Sequence, residues 1–422
     1  MGINSCGTTL IDEGVFKNIG AITWDTTAKT AGFTAVAGNG YFVNTTSGAI
    51  TVTLPATPTA GDVVGIADYA NTADTNNITI GRNGSNIQGS ANDIDITVEG
   101  TSILLIYVDA TQGWLLIDFA KASDIISPQF VTATGGTITC CGDFKIHTFT
   151  GPGTFTVTCA GNPSGSDTVD YLVVAGGGGG GGAPSAPDHV SGGGGAGGLR
   201  TNFCTPASAL TVTATSFPIT VGGGGTGGGP GGSRGTNGVN SIFSTITSAG
   251  GGTGGAGPPG PNQGEPGGSG GGGSSATPNP TPNFGTGNTP PTSPPQGNDG
   301  GRGNDALPPG LTGGGGGGAS AAGTAGNPAT SGGPGGNGID FSPFVGNIGP
   351  TCSVFAGGGG GAKRSGTQGT GGLGGGGAAN LGSNGVAGTT NTGGGGGGTS
   401  APGANSGGAG GSGIVIIRYK YQ

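Results

Sequence analysis

Charge is scarce in this chain. Only 8% of its 422 residues are Asp, Glu, Lys or Arg, and 12 Lys and Arg against 20 Asp and Glu leave a formal charge of −8. So few cations provide no basic surface to neutralise a phosphate backbone, so nucleic-acid binding is not expected. Histidine occurs twice, as His147 and His189. No Cys-x-x-Cys pair joins Cys6, Cys140, Cys141, Cys159, Cys204 and Cys352. No metal site and no cofactor are therefore expected, and the thiols are expected to be reduced in a protein made in a cytosol. No segment reaches the ~18–20 continuous apolar residues of a membrane span. The first residues lack the basic and apolar regions of a secretory signal, so a protein acting outside a cell is expected to leave by another route. No capped segment with helical periodicity is visible.

Glycine is what the chain has in excess. Its 110 residues, with 28 prolines, make about a third of the chain. That composition ordinarily signals disorder, but disorder usually comes with high charge, which is missing here. The glycines form runs, at 176–182, 192–195, 222–225, 270–273, 313–318, 357–361, 374–377 and 393–398. Two strand-like segments, 170–175 and 413–422, bracket them, and pairing these would close the region at its base. Without side chains, extended three-per-turn helices approach closely enough to hydrogen-bond sideways. Each such bond contributes about 0.5–1.5 kcal/mol, against about 1–2 kcal/mol to order each residue. The lattice thus needs a hydrophobic frame, which the bracketing strands are expected to supply, or a partner chain. A collagen helix is excluded, because Gly257-Pro-Pro-Gly loses its register within two triplets. A disordered linker is the competing reading, although linkers seldom end in a strand.

The N-terminal part reads as all-β. In residues 40–55, Ser47-Gly48 separates two β-prone runs as a hairpin would, and 50–54 alternates apolar and polar side chains. A turn is expected at 82–85, and another at Gln112-Gly113 between two apolar runs. Three regions follow: a β-sandwich-like domain at 1–125, a small β connector at 126–175, and a glycine-rich region of polyglycine helices at 176–422.

Several of these segments resemble known ones. Residues 40–55, Arg-Asn-Gly-Ser-Asn-Ile-Gln-Gly at 82–89 and Tyr-Val-Asp-Ala-Thr-Gln-Gly-Trp at 107–114 resemble a β domain of marine bacteriophage tail fibres. Tyr-Leu-Val-Val-Ala-Gly at 171–176 and Gly-Ser-Gly-Ile-Val-Ile-Ile-Arg-Tyr at 411–419 resemble the glycine-rich domain of phage fibre and adhesin proteins. Together they cover roughly residues 20–120 and 145–420. The resemblance implies a sandwich of packed polyglycine helices at 176–422 whose loops contact a host receptor, a surface polysaccharide or an outer-membrane protein. It implies a virion location beside other tail or baseplate proteins; no enzymatic activity is expected. One departure is that fibre and adhesin parts share this chain, which points to a homotrimer. A purely structural fibre or decoration protein is the alternative.

If successive glycine runs alternate in direction, loops 183–191, 233–249, 274–312, 339–355 and 378–392 lie distally, with 199–221 at the base. Within the distal set, His189, Phe284, Asn288, Phe341 and Phe344 are the candidate contact residues, because aromatic rings supply contact area and amides bind sugar hydroxyls. Phe341 and Phe344 fit a local loop core equally well. Gly-x-Gly-x-x-Gly matches carry no information in such a chain. Asp62, Asp68, Asp93, Asp95 and Asp109 allow a carboxylate pair for a depolymerase, but no β-helix repeat accompanies them. His147 is expected at a surface or turn.

Overall fold

The computed structural model describes residues 22–118, 128–185, 189–203, 209–275, 283–305 and 310–422. It also describes the backbone of the short strands Ile3–Ser5, Thr8–Asp12, Val15–Phe16 and Ile125–Ile126. The fold is all-β; among the described residues the only helix is the four-residue Ser342–Val345. None of the described helices is long and apolar enough to cross a membrane. The chain divides into two compact units, Met1–Phe130 with Gly161–Ser166, and Val131–Ala160 with Asp167–Gln422.

The first unit is built on two five-stranded sheets. One orders Gly113–Asp118, Ser102–Asp109, Val63–Asp68, Asn39–Val43 and Thr23–Lys29. The other orders Ile125–Ile126, Ile94–Ile96, Ile78–Gly81, Ile50–Thr53 and Phe33–Thr34. Val43, Val52, Leu54, Val64, Ile66, Ile78, Ile80, Leu105 and Trp114 fill one core. The alternation in Ile50–Thr53 buries Ile50 and Val52 as expected. The hairpin expected at Ser47-Gly48 does not form. Asn39–Val43 pairs in parallel with Val63–Asp68, whereas Ile50–Thr53 pairs in parallel with Ile78–Gly81. The turn therefore carries the chain from one sheet to the other, since both apolar faces must meet the same core. At Gln112-Gly113 the expected hairpin is present. Gly113 has φ +69°, and a Cβ there would lie 1.8 Å from the Asn86 carbonyl oxygen.

In the second unit the opening strand Thr168–Val174 pairs antiparallel with the closing strand Ile414–Lys420, from Asp170 opposite Arg418 to Val174 opposite Ile414. Thr137–Cys141, Phe144–Phe149 and Leu199–Thr201 extend that sheet. A second sheet holds Thr132–Thr134, Gly153–Cys159, Ser216–Thr220, Ser241–Phe243 and Ile246–Ser248. The strands expected as a separate connector thus belong to the glycine-rich unit. Apolar clusters line both faces of the central strands, with Val173, Val415 and Ile417 on one face and Leu172, Val174, Ile414 and Ile416 on the other.

Beyond these sheets the glycine runs form a hydrogen-bonded lattice. The amides of Gly176, Gly179 and Gly182 donate to Val239, Thr236 and Ser233; those of Gly177 and Gly180 donate to Gly411 and Gly408; those of Gly178 and Gly181 donate to Gly195 and Gly192. Each run therefore addresses three neighbours in rotation, the mark of a helix with three residues per turn. Packing is too close for side chains at inward positions. A Cβ on Gly178 would lie 2.3 Å from the Gly252 carbonyl oxygen, and one on Gly179 1.9 Å from that of Thr226.

Candidate functional site

Hydrogen bonds between runs give their directions. Residues 176–182 lead away from the sheets, and 192–198 return antiparallel, with Gly178 donating to Gly195 and Ala175 to Gly198. Residues 222–229 lead out again, in step with 176–182 through Gly225 to Gly177 and Gly228 to Gly180. The next return leg, 233–240, is poor in glycine yet joins the lattice, with Thr236 donating to Thr226 and Val239 to Gly223. The hairpin Ser241–Phe243 and Ile246–Ser248 consequently lies back at the sheets, and most of the loop 233–249 is not distal. The alternation continues to the closing strand.

The far end, opposite the sheets, collects the turns 229–233, 257–261, 327–331, 363–368, 381–385 and 400–405, with the described parts of 183–190 and 304–312. Contacts between them mark one surface. Ala183 bridges Asn405, Val190 bridges Ser400, and Thr312 bridges both Asn304 and Lys363. Lys363 is buried, with its Nζ donating to the Pro328 carbonyl at 2.9 Å. Arg234, Arg302 and Arg364 also sit on far-end segments, and Arg234 pairs with Glu265.

Of the sequence candidates, His189 is at this end, half-buried, and its carbonyl accepts the Ala401 amide at 3.4 Å. Phe284 is half-buried just beyond 276–282, which lie outside the described residues together with 306–309, Cys6 and Cys204. The other three candidates stand at the sheet end. Residues 283–288 are a return leg, with Gly285 donating to Gly271 and Asn288 to Gly268. Asn288 therefore shapes a sheet-end loop, where its Oδ1 accepts the Thr292 and Gln296 amides at 3.0 and 3.2 Å. The loop 339–355 packs against the sheets as well. Phe341 is 1% exposed, its ring 6.0 Å from Phe203 and 6.5 Å from Phe355. Phe344 stacks on Phe203 at 5.5 Å. These two rings form a core, because the apolar face of the closing strand has to be covered. In 378–392 the halves separate, 381–385 at the far end and 389–392 at the sheets. The far-end turns outside the expected distal loops, 257–261, 327–331, 363–368, 400–405 and most of 229–233, are short and lack aromatics; no local signal distinguishes them from the turns at the other end.

His147 and the five aspartates considered for hydrolysis serve the fold. His147 is fully buried, contrary to the expectation of a surface site. Its Nδ1 lies 2.7 Å from the Gly135 carbonyl, and its Nε2 lies 3.1 Å from the Tyr419 hydroxyl, which accepts the Ala133 amide. Burial lowers its pKa below the usual value of 6.5, and the Gly135 bond partly opposes this. Each carboxylate considered for hydrolysis holds local structure. Asp62 accepts from Thr59, Asp68 from Ala70, Ala73 and Gly100, Asp93 from Arg82, Asp95 from Thr79, and Asp109 from Thr111 and Gln112. Among the described residues no group of three or more His, Cys, Asp or Glu is placed to hold a metal ion. Cys140, Cys141, Cys159 and Cys352 are free thiols.

A comparison with curated proteins finds no match. A family model described as a glycine-rich domain matches residues 149–420, which is more than half of the chain. The protein therefore belongs to the glycine-rich domain family.

Proposed function

We propose that this chain is a bacteriophage tail-fibre adhesin that recognises a host cell surface through the far-end turns of its lattice. The observation that carries the reading is the segregation of turns. The described parts of 183–190 and 304–312, with the turns 327–331, 363–368 and 400–405, share one end of a framework whose other end is occupied by β-sheets. Backbone-to-backbone bonding leaves that framework chemically inert, so variation in the turns alters the surface without altering the support. Binding by preorganised loops loses little entropy on contact. In this reading the chain is not an enzyme. It works in the virion as a homotrimer joined to other tail or baseplate proteins, and its receptor is a surface polysaccharide or an outer-membrane protein.

The test is adsorption. Purified protein should compete with phage for host cells. Replacing turns 327–331 and 363–368 with Gly-Ser sequences should abolish the competition, while replacing 290–294 at the sheet end should leave it intact. Equal competition by all three proteins would refute a far-end receptor site and favour a purely structural fibre component.

A further inference from the structure

We infer that the sheet end of the glycine-rich unit carries a binding pocket for a small amphiphilic anion, one with a compact aromatic body and a single carboxylate or sulfonate. A cavity of about 480 Å³ opens along the edge strand Leu199–Thr201. Its apolar walls come from Leu199, Pro294, Pro295, Ala319 and Ile339, on four segments far apart in sequence. That size and lining suit a small organic ligand.

The walls are preformed. Gln296 accepts the Leu199 amide on its backbone carbonyl at 2.8 Å and the Ala249 amide on Oε1 at 2.8 Å, and it donates from Nε2 to Pro290 at 2.8 Å. Asn288 holds the start of the same loop against it through the Gln296 amide. The loop is thus fastened to the strand it faces, and the cavity between them does not depend on a ligand for its shape.

Charge selects the ligand. Arg200 is the charged residue lining the cavity, and it is half-exposed. Among the described residues its guanidinium has no ion pair or hydrogen bond, whereas Arg418 is paired with Asp170 and Arg234 with Glu265. A planar cation beside an apolar hollow is matched by a planar anion on an apolar body.

The probe is anilinonaphthalene sulfonate, titrated into the full-length protein. Saturable, one-site fluorescence enhancement is expected. Arg200→Gln should weaken it about tenfold or more, the effect of losing a charge-assisted bond, and Arg200→Lys should restore part of it. Ala319→Leu and Ala319→Trp should reduce it in order of size, at unchanged far-UV circular dichroism. The neutral phenylnaphthylamine should bind the wild type and Arg200→Gln alike. Non-saturating emission, binding that Arg200→Gln leaves unchanged, or binding that both Ala319 variants leave unchanged overturns the proposal.

Discussion

Arg418 and Asp170 lie directly opposite each other on the closing and opening strands of the glycine-rich unit. The arginine donates from Nε and Nη2 to one carboxylate oxygen, Asp170 Oδ2, at 3.1 and 2.5 Å. A third donor, Nη1, reaches the Phe344 carbonyl at 2.9 Å, and the guanidinium carbon stands 4.3 Å from the Phe144 ring centre and 4.8 Å from that of Phe203. One side chain thereby fastens the first strand, the last strand and the loop 339–355.

Both side chains of that pair are mostly buried, 14% and 19% exposed, so removing one leaves the other unpaired in a site with little water. Arg418→Ala is expected to cost roughly 3 kcal/mol in denaturant unfolding. The double variant Asp170→Asn with Arg418→Met should recover part of the loss, a coupling that a double-mutant cycle reads directly. Additive losses would mean that the two residues act independently.

Glycine is required in the lattice where a Cβ would meet a neighbouring run and dispensable where it would not. Gly180→Ala places a methyl group 2.1 Å from the Gly397 carbonyl oxygen, whereas nothing lies within 4 Å of a Cβ on Gly223. The first substitution should destabilise by several kcal/mol, in the manner of other overpacked sites. The second should be neutral or stabilise by about 0.4–1 kcal/mol, by reducing the freedom of the unfolded chain. Thermal melts of the two variants make the comparison, and a similar loss in both would contradict the close packing.

The pH dependence of stability follows from His147. Its folded-state pKa is lowered by burial, so the fold favours the neutral ring. The resulting stabilisation is complete above the unfolded value, near 6.5, and is lost as pH falls through the folded value. Unfolding midpoints should therefore decline between about pH 7 and pH 5, before most carboxylates titrate. His147→Gln should be less stable at the upper limit and show a flatter profile over this window. A wild-type midpoint that stays constant throughout would argue against a neutral, buried imidazole.

Phe341 and Phe284 should part company experimentally. Phe341→Ala removes a fully buried ring and is expected to cost about 3–5 kcal/mol without changing the far-end surface. Phe284→Ala, at a half-buried position next to 276–282, should cost less. Unfolding and host-cell competition measured on the same preparations separate the two effects. Lost competition by a folded Phe341→Ala protein would bring the sheet end into recognition.

Much of the architecture was legible in the residues. Apolar alternation marked the strand around 50–54, Gln112-Gly113 between two continuous apolar runs marked a hairpin, and the bracketing segments 170–175 and 413–422 marked a pair. Ser47-Gly48 misled, because a turn between two β-prone runs does not show whether they join one sheet or cross between two. His147 misled because its partners are Gly135, in the turn after Thr132–Thr134, and Tyr419, on the closing strand 272 residues away. Phe341 and Phe344 carried two readings in sequence, and the uncovered face of Ile414 and Ile416 selected between them.

By itself, the sequence determined that the chain is β-rich, poor in charge and scaffolded on glycine, because these follow from side-chain size, polarity and periodicity. Which end each loop occupies was decided only in three dimensions. Segments such as 233–240 and 283–288 have few consecutive glycines yet run within the lattice: the larger residues of 233–240 fall where a side chain points outward, and the buried Asn283 amide replaces backbone partners by donating to the Ser274 carbonyl. That tolerance depends on where the neighbouring runs lie, and those neighbours are joined by hydrogen bonds between residues hundreds of positions apart, such as Gly177 and Gly411.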